Sequence, residues 1–158
     1  VDAPGRYAFV STTLWAADTG RPSADAVCVA EASAAGLPGS YLAYLAAPGE
    51  APSIRFDPAG LPWKRVDGAR LAPTAADLVG AAPVTRLETY PGRTATGGVV
   101  GGGRLWVGSA SNHCENWSNQ GDPARALKTP AYSATRLDVA GGVGGPCDVE
   151  APLWCLQE

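Results

Sequence analysis

The stretch ADAVCVAEASAAGLPGSYLAYLA, residues 24–46, decides how the rest of the chain is read. Ser23 follows Pro22 and reads as an N-cap, its hydroxyl accepting from an amide of the first turn that has no other partner. From there SADAVCVAEASAA runs without a helix breaker to Gly36, which can take the left-handed conformation that closes a helix. Val27, Ala30 and Ala34 share a face at helical spacing, with Cys28 beside it, so that face is expected to pack inward. SYLAYLA (40–46) then alternates, with Tyr41, Ala43 and Leu45 on one side, as a half-buried strand does. A helix bearing a cysteine, a glycine stop and a strand therefore follow one another within 24 residues.

Working outward, RYAFVSTTLW (6–15) is rich in strand formers and reads as a first strand, and DTGRP as the loop before the helix. Prolines and glycines dominate 47–63, a long surface excursion. Thr74-Ala-Ala-Asp77 has capping-box form and predicts a short helix around 75–79. TATGGVVGGGR (94–104) is glycine-dense, but no GK[ST] follows and a strand, RLWVGSA (104–110), comes next. The phosphate-loop reading therefore fails in favour of a plain loop. Beyond SASNHCENWSNQGD (109–122) the chain reads as irregular, with a second glycine cluster at 140–145, until PLWCL forms a terminal strand carrying Cys155. No repeat or linker interrupts this order. The expectation is one α+β domain over 1–158, with a mixed, mainly antiparallel sheet, two short helices and long loops.

Composition narrows the function classes. A net charge of −3 with scattered basic residues makes nucleic acid a poor partner. No apolar run reaches the roughly 18–20 residues of a membrane helix, so no membrane insertion by this chain is expected. The start, VDAPGRYAFV, lacks the basic end and apolar stretch of a signal peptide and reads as a mature or trimmed chain. Four cysteines without a CxxC pair, beside a single histidine, fit two disulfides in an oxidising compartment better than a zinc site, and three connectivities are open.

Four blocks together carry a resemblance. ADAVCVAEASAAGLPGSYLAYLA places a cysteine in a helix before A-x-A-x-GL-x-G and an alternating strand. VDGARLAPTAADLVG (66–80), LWVGSASNHCENW (105–117) and CDVEAPLWCLQE (147–158) follow in order. This series resembles endostatin, the C-terminal domain of a basement-membrane collagen, and more closely a bacterial family of extracellular endostatin-like domains. The resemblance implies a C-type-lectin-like fold with nested disulfides, Cys28 to Cys155 and Cys114 to Cys147. It also implies that Trp106 and Trp117 are core residues. The endostatin zinc site does not carry over: Asp67 stands at its aspartate, but VDAPGRYAF holds no histidine. Heparan-sulfate binding, which in endostatin uses exposed arginines on a basic protein, does not suit an acidic chain.

The only histidine, His113, adjoins Cys114. If Cys114 is in a disulfide it is neither nucleophile nor metal ligand, and no GxSxG elbow supplies a serine partner, so no catalytic residue is assigned. Asn116, Asn119 and Asp122 form a candidate calcium cluster, since hard cations take clustered oxygens. The favoured reading is that these amides and the acid satisfy loop backbone, and no cofactor is expected. Trp15 and Trp63 fall beside or within loops, outside the matched blocks. They are candidate ligand platforms, because an exposed indole stacks on sugars or anchors protein partners; the alternative for Trp63 is a cap on the core. The expectation is a non-enzymatic binding module, extracellular, cell-surface or periplasmic, whose partner is a glycan or a surface protein. The alternative is a structural or assembly module of a larger bacterial surface protein.

Overall fold

The computed structural model of the chain describes residues 4–100, 103–120, 125–135 and 144–158. Its strands are β1 (Arg6–Trp15), β2 (Tyr41–Ala43), β3 (Trp63–Arg65), β4 (Arg104–Trp106), β5 (Arg125–Pro130), β6 (Gly144–Pro146) and β7 (Ala151–Gln157). The helical segments are α1 (Arg21–Ala34), α2 (Ala75–Val79) and α3 (Cys114–Trp117), with a 3-10 turn at Pro52–Arg55. The strands form one mixed sheet in the order β3-β1-β7-β4-β5-β6, and β2 also pairs with β7. The β1–β3 and β4–β7 pairings are parallel and the other four antiparallel. This is the expected α+β fold with a mainly antiparallel sheet.

The last strand in sequence is central in space. Both faces of β7 are buried, and a strand covered on both sides reads as a continuous apolar run rather than an alternation. Its Leu153 and Cys155 enter one core cluster, whereas Trp154 and Leu156 enter another. Successive side chains point to opposite faces, so the two clusters lie on the two sides of the sheet. The first contains α1, both disulfides, Trp15, Trp106 and Trp117. The second contains Tyr44, Phe56, Trp63 and the α2 residues Ala75, Leu78 and Val79.

Helix α1 ends as the sequence requires. Gly36 has φ 69°, its amide donates to Ser33 O (3.0 Å), and the Leu37 amide reaches Ala32 O (2.9 Å). That pair of bonds is a Schellman closure. Its start differs from expectation. Gly20 is the N-cap and Pro22 lies in the first turn, where its missing N–H costs nothing. Ser23 serves instead as a side-chain acceptor for Trp15 Nε1 (2.9 Å). The inward face is also corrected. Ala24, Cys28 and Ala32 are buried, Val27 is half-buried, and Ala30 and Ala34 are exposed. The disulfide to β7 draws the Cys28 side of the helix onto the sheet, and the small residues one turn either side allow that close approach.

The excursion after residue 46 is anchored by an ion pair. Arg55 grips Asp25 of α1 through both nitrogens (3.0 and 2.6 Å), and its Nη1 also donates to Ala43 O of β2 (2.6 Å). Helix α2 carries the expected capping box: Thr74 Oγ1 accepts from the Asp77 amide (3.1 Å) and Asp77 accepts from the Thr74 amide (3.0 Å). Thr74→Ala is expected to cost about 1 kcal/mol, read as a lower urea midpoint at unchanged slope.

Both disulfides are formed with the nested connectivity, Cys28–Cys155 and Cys114–Cys147. Two expectations are corrected. Among the described residues the helices are one of 14 residues and two short ones, rather than two short ones. The segment read as irregular contains β5, which pairs with β4, and β6, which pairs with β5.

Candidate functional site

The residues singled out by their chemistry are drawn into structural roles. His113 Nδ1 accepts the Asn116 amide (2.8 Å), and the His113 carbonyl accepts the Trp117 amide (2.8 Å). The histidine thereby caps α3, a left-handed turn in which Cys114, Glu115, Asn116 and Trp117 have φ between 51° and 59°. Such a turn is disfavoured by roughly 1–2 kcal/mol per non-glycine residue. Its two ends are fixed, Cys114 by its disulfide and Trp117 by burial, with Trp117 Nε1 donating to Ala46 O (2.8 Å). Glu115 Oε2 accepts from Asn119 Nδ2 (2.8 Å). Of the calcium candidates, Asn116 and Asn119 stand on this turn and its exit, and Asp122 lies outside the described residues.

Neither tryptophan platform is available to a ligand. Trp63 is 1% exposed and Trp15 is 4% exposed, so neither presents the exposed indole on which its reading as a ligand platform rests. Trp63 Nε1 donates to Gln157 O (2.8 Å), its ring meets Phe56 edge-on, and the Arg6 guanidinium covers its other side at 3.4 Å. Trp15 packs edge-on against Trp117, and its carbonyl accepts from Trp106 Nε1. Both flank loops in sequence, but both belong to the core clusters on the two sides of the sheet.

Asp67 is likewise engaged. Arg65 binds both its carboxylate oxygens (3.0 and 2.6 Å), and Arg93 Nε lies 3.1 Å from Oδ2. Partial burial opposes its charge, but the Arg65 hydrogen bonds, the Ala69 amide and the two arginine charges outweigh that and lower its pKa. A lowered carboxylate pKa stabilises the fold in full above the unfolded value of about 4, and that stabilisation is lost as the pH falls through the folded value. Asp67→Asn is therefore expected to flatten the acid side of a plot of urea midpoint against pH below about pH 4. Parallel curves for the two proteins would contradict this.

One feature left open to a ligand among the described residues is a groove of about 540 Å³ beside the start of β7. It arises where β1 parts from β7. Pairing is regular from Ala8 to Val10 and resumes, shifted, at Leu14. Ser11 Oγ accepts from the Leu153 amide (2.8 Å) and donates to Thr13 O (2.7 Å). The Thr12 and Thr13 amides go instead to the Glu31 carboxylate of α1 (2.8–3.0 Å). A bulge is stable only if its freed backbone groups find partners, and these side chains supply them.

The remaining wall is the 94–100 loop, closed by Thr94–Gly98 hydrogen bonds through both backbone and Oγ1. The lining combines the hydroxyls of Ser11, Thr12 and Thr94 with Leu14, Val99, Val100 and Pro152, and with Arg104 and Glu150. Leu14 and Val99 are 55% and 61% exposed, and Arg104 and Glu150 are exposed too. Among the described residues, neither the Arg104 nor the Glu150 side chain takes an ion pair or hydrogen bond. The cation and the anion are both available to an incoming group.

None of these groove residues was singled out in the sequence. The signal was present but faint: after RYAFV the strand turns to Ser-Thr-Thr, three hydroxyls where alternation should continue. No protein-family model matches the chain, and no curated protein is detectably similar to it in sequence.

Proposed function

We propose that the chain is a non-enzymatic recognition domain of endostatin-like, C-type-lectin-like fold, working outside the cell, at the cell surface or in the periplasm. It binds a glycan or a surface protein in the groove between the ends of β1, β4 and β7. The observation that carries this reading is the groove itself: an aliphatic lining with a guanidinium and a carboxylate that take no ion pair among the described residues, on a sheet stapled by two disulfides. Its volume falls within the range of ordinary ligand sites. Nested disulfides are what the endostatin-like resemblance implied, and disulfides persist in oxidising compartments.

A thermal-melt screen of the oxidised domain against polysaccharides, surface-protein ectodomains, calcium and chelator tests the reading. A ligand at 100 times its Kd adds about 2.7 kcal/mol, a rise of roughly 5–10 °C at this size. A flat panel would overturn it in favour of an assembly module within a larger surface protein. That second reading has its own support in an apolar hollow of about 300 Å³ beside Ile54, which is 67% exposed.

A further inference from the structure

We propose that the groove takes an extended segment of a partner protein in which an aliphatic side chain neighbours a carboxylate, rather than a sugar. This rests on the reading of the groove as the recognition surface and narrows its occupant. Protein sites that hold sugars by packing lay an aromatic ring on the apolar face of the pyranose. None of the described residues lining this groove is aromatic, and all five tryptophans are at most 4% exposed.

The groove offers aliphatic surface instead. Leu14 of β1 and Val99 of the 94–100 loop both line it and are exposed, and covering them is favourable in proportion to the apolar area removed from water. A hydroxyl-covered sugar would leave that area badly matched, whereas a Leu, Ile or Val side chain matches it. Arg104 then sets the charge of the neighbour. A guanidinium presents paired N–H donors in the geometry of a carboxylate, and no side chain of the described residues occupies them. Glu150 on the same lining accepts from a peptide N–H or an ammonium, groups that a polypeptide supplies at every residue or at a lysine.

The test is selection from a displayed library of random dodecapeptides on the oxidised full chain. Counter-selection uses the Leu14→Asp/Arg104→Glu variant. Both positions are exposed, so the variant is expected to melt within about 2 °C of the parent. Arg104→Ala serves if the double variant does not fold. The expected result is enriched peptides sharing an aliphatic residue beside Asp or Glu. Their amide-shift footprint falls on Leu14, Val99 and Arg104, and their binding weakens tenfold or more on Arg104→Ala.

Peptides that bind parent and variant alike, or whose footprint lies elsewhere, overturn the inference. Titration with methyl glucoside and methyl glucuronide separates the two levels. A sugar that moves the groove amides where no peptide does overturns the protein partner but leaves a recognition groove. If neither peptides nor sugars move them, the recognition reading falls as well.

Discussion

Replacing Cys28 and Cys155 together by alanine is expected to remove up to about 5 kcal/mol of stability, against up to about 4 kcal/mol for the Cys114/Cys147 pair. The difference follows from the closed loops, 127 and 33 residues apart, because a longer loop takes more entropy from the unfolded chain. Domains of this size have about 5–15 kcal/mol in total, so the first variant is marginal at 37 °C. Structure adds to the chain-entropy term. Cys28 and Cys155 are both fully buried where α1 meets the central strand, and their removal leaves a gap between helix and sheet. Urea unfolding without reductant measures both variants. A loss below about 1 kcal/mol for the Cys28/Cys155 pair would mean that α1 is held by packing alone.

Trp63→Ala is expected to cost about 3–5 kcal/mol, the range for deleting a large buried aromatic side chain. The ring sits among Phe56, Arg6 and the second core cluster, and its N–H is the partner of the Gln157 carbonyl in β7. Truncation therefore opens a cavity and frees a backbone acceptor. Trp63→Phe keeps most of the volume and is expected to cost less than half as much. Any loss of binding in Trp63→Ala should track its fraction unfolded. A stable Trp63→Ala protein lacking only ligand affinity would return the indole to the binding site and contradict its burial.

What could be read from the sequence was local. Gly36 and the Thr74–Asp77 box act within a few residues of themselves, so their roles follow from neighbouring letters. Strand β1 was legible because most of its ten residues are β-branched or aromatic strand formers. The inward face of α1 was not, because alanines on every side blur an apolar stripe, and the disulfide selects the Cys28 side. Strands β5 and β6 were missed because β5 relies on pairing to β4, and β6 on pairing to β5, rather than on apolar alternation of their own.

The site was the least legible part. The aromatic residues and the histidine cluster drew attention by their chemistry, and folding placed the indoles in the core and the imidazole on a turn. The groove comes from a pairing defect between β1 and β7, held by Ser11 and by Glu31 on a different element. A defect between strands more than 130 residues apart leaves no motif.

The most direct test compares two sets of substitutions on one readout, the ligand-induced rise in melting temperature. Leu14→Asp/Arg104→Glu alters the groove, and Glu115→Ala/Asn116→Ala alters the exposed face of the turn that His113 caps. The expected result is that the groove variant melts like the parent but loses most of the ligand shift, while the turn variant keeps it. A groove variant with the full shift, and a turn variant without it, would place recognition at residues 113–119 and contradict the groove.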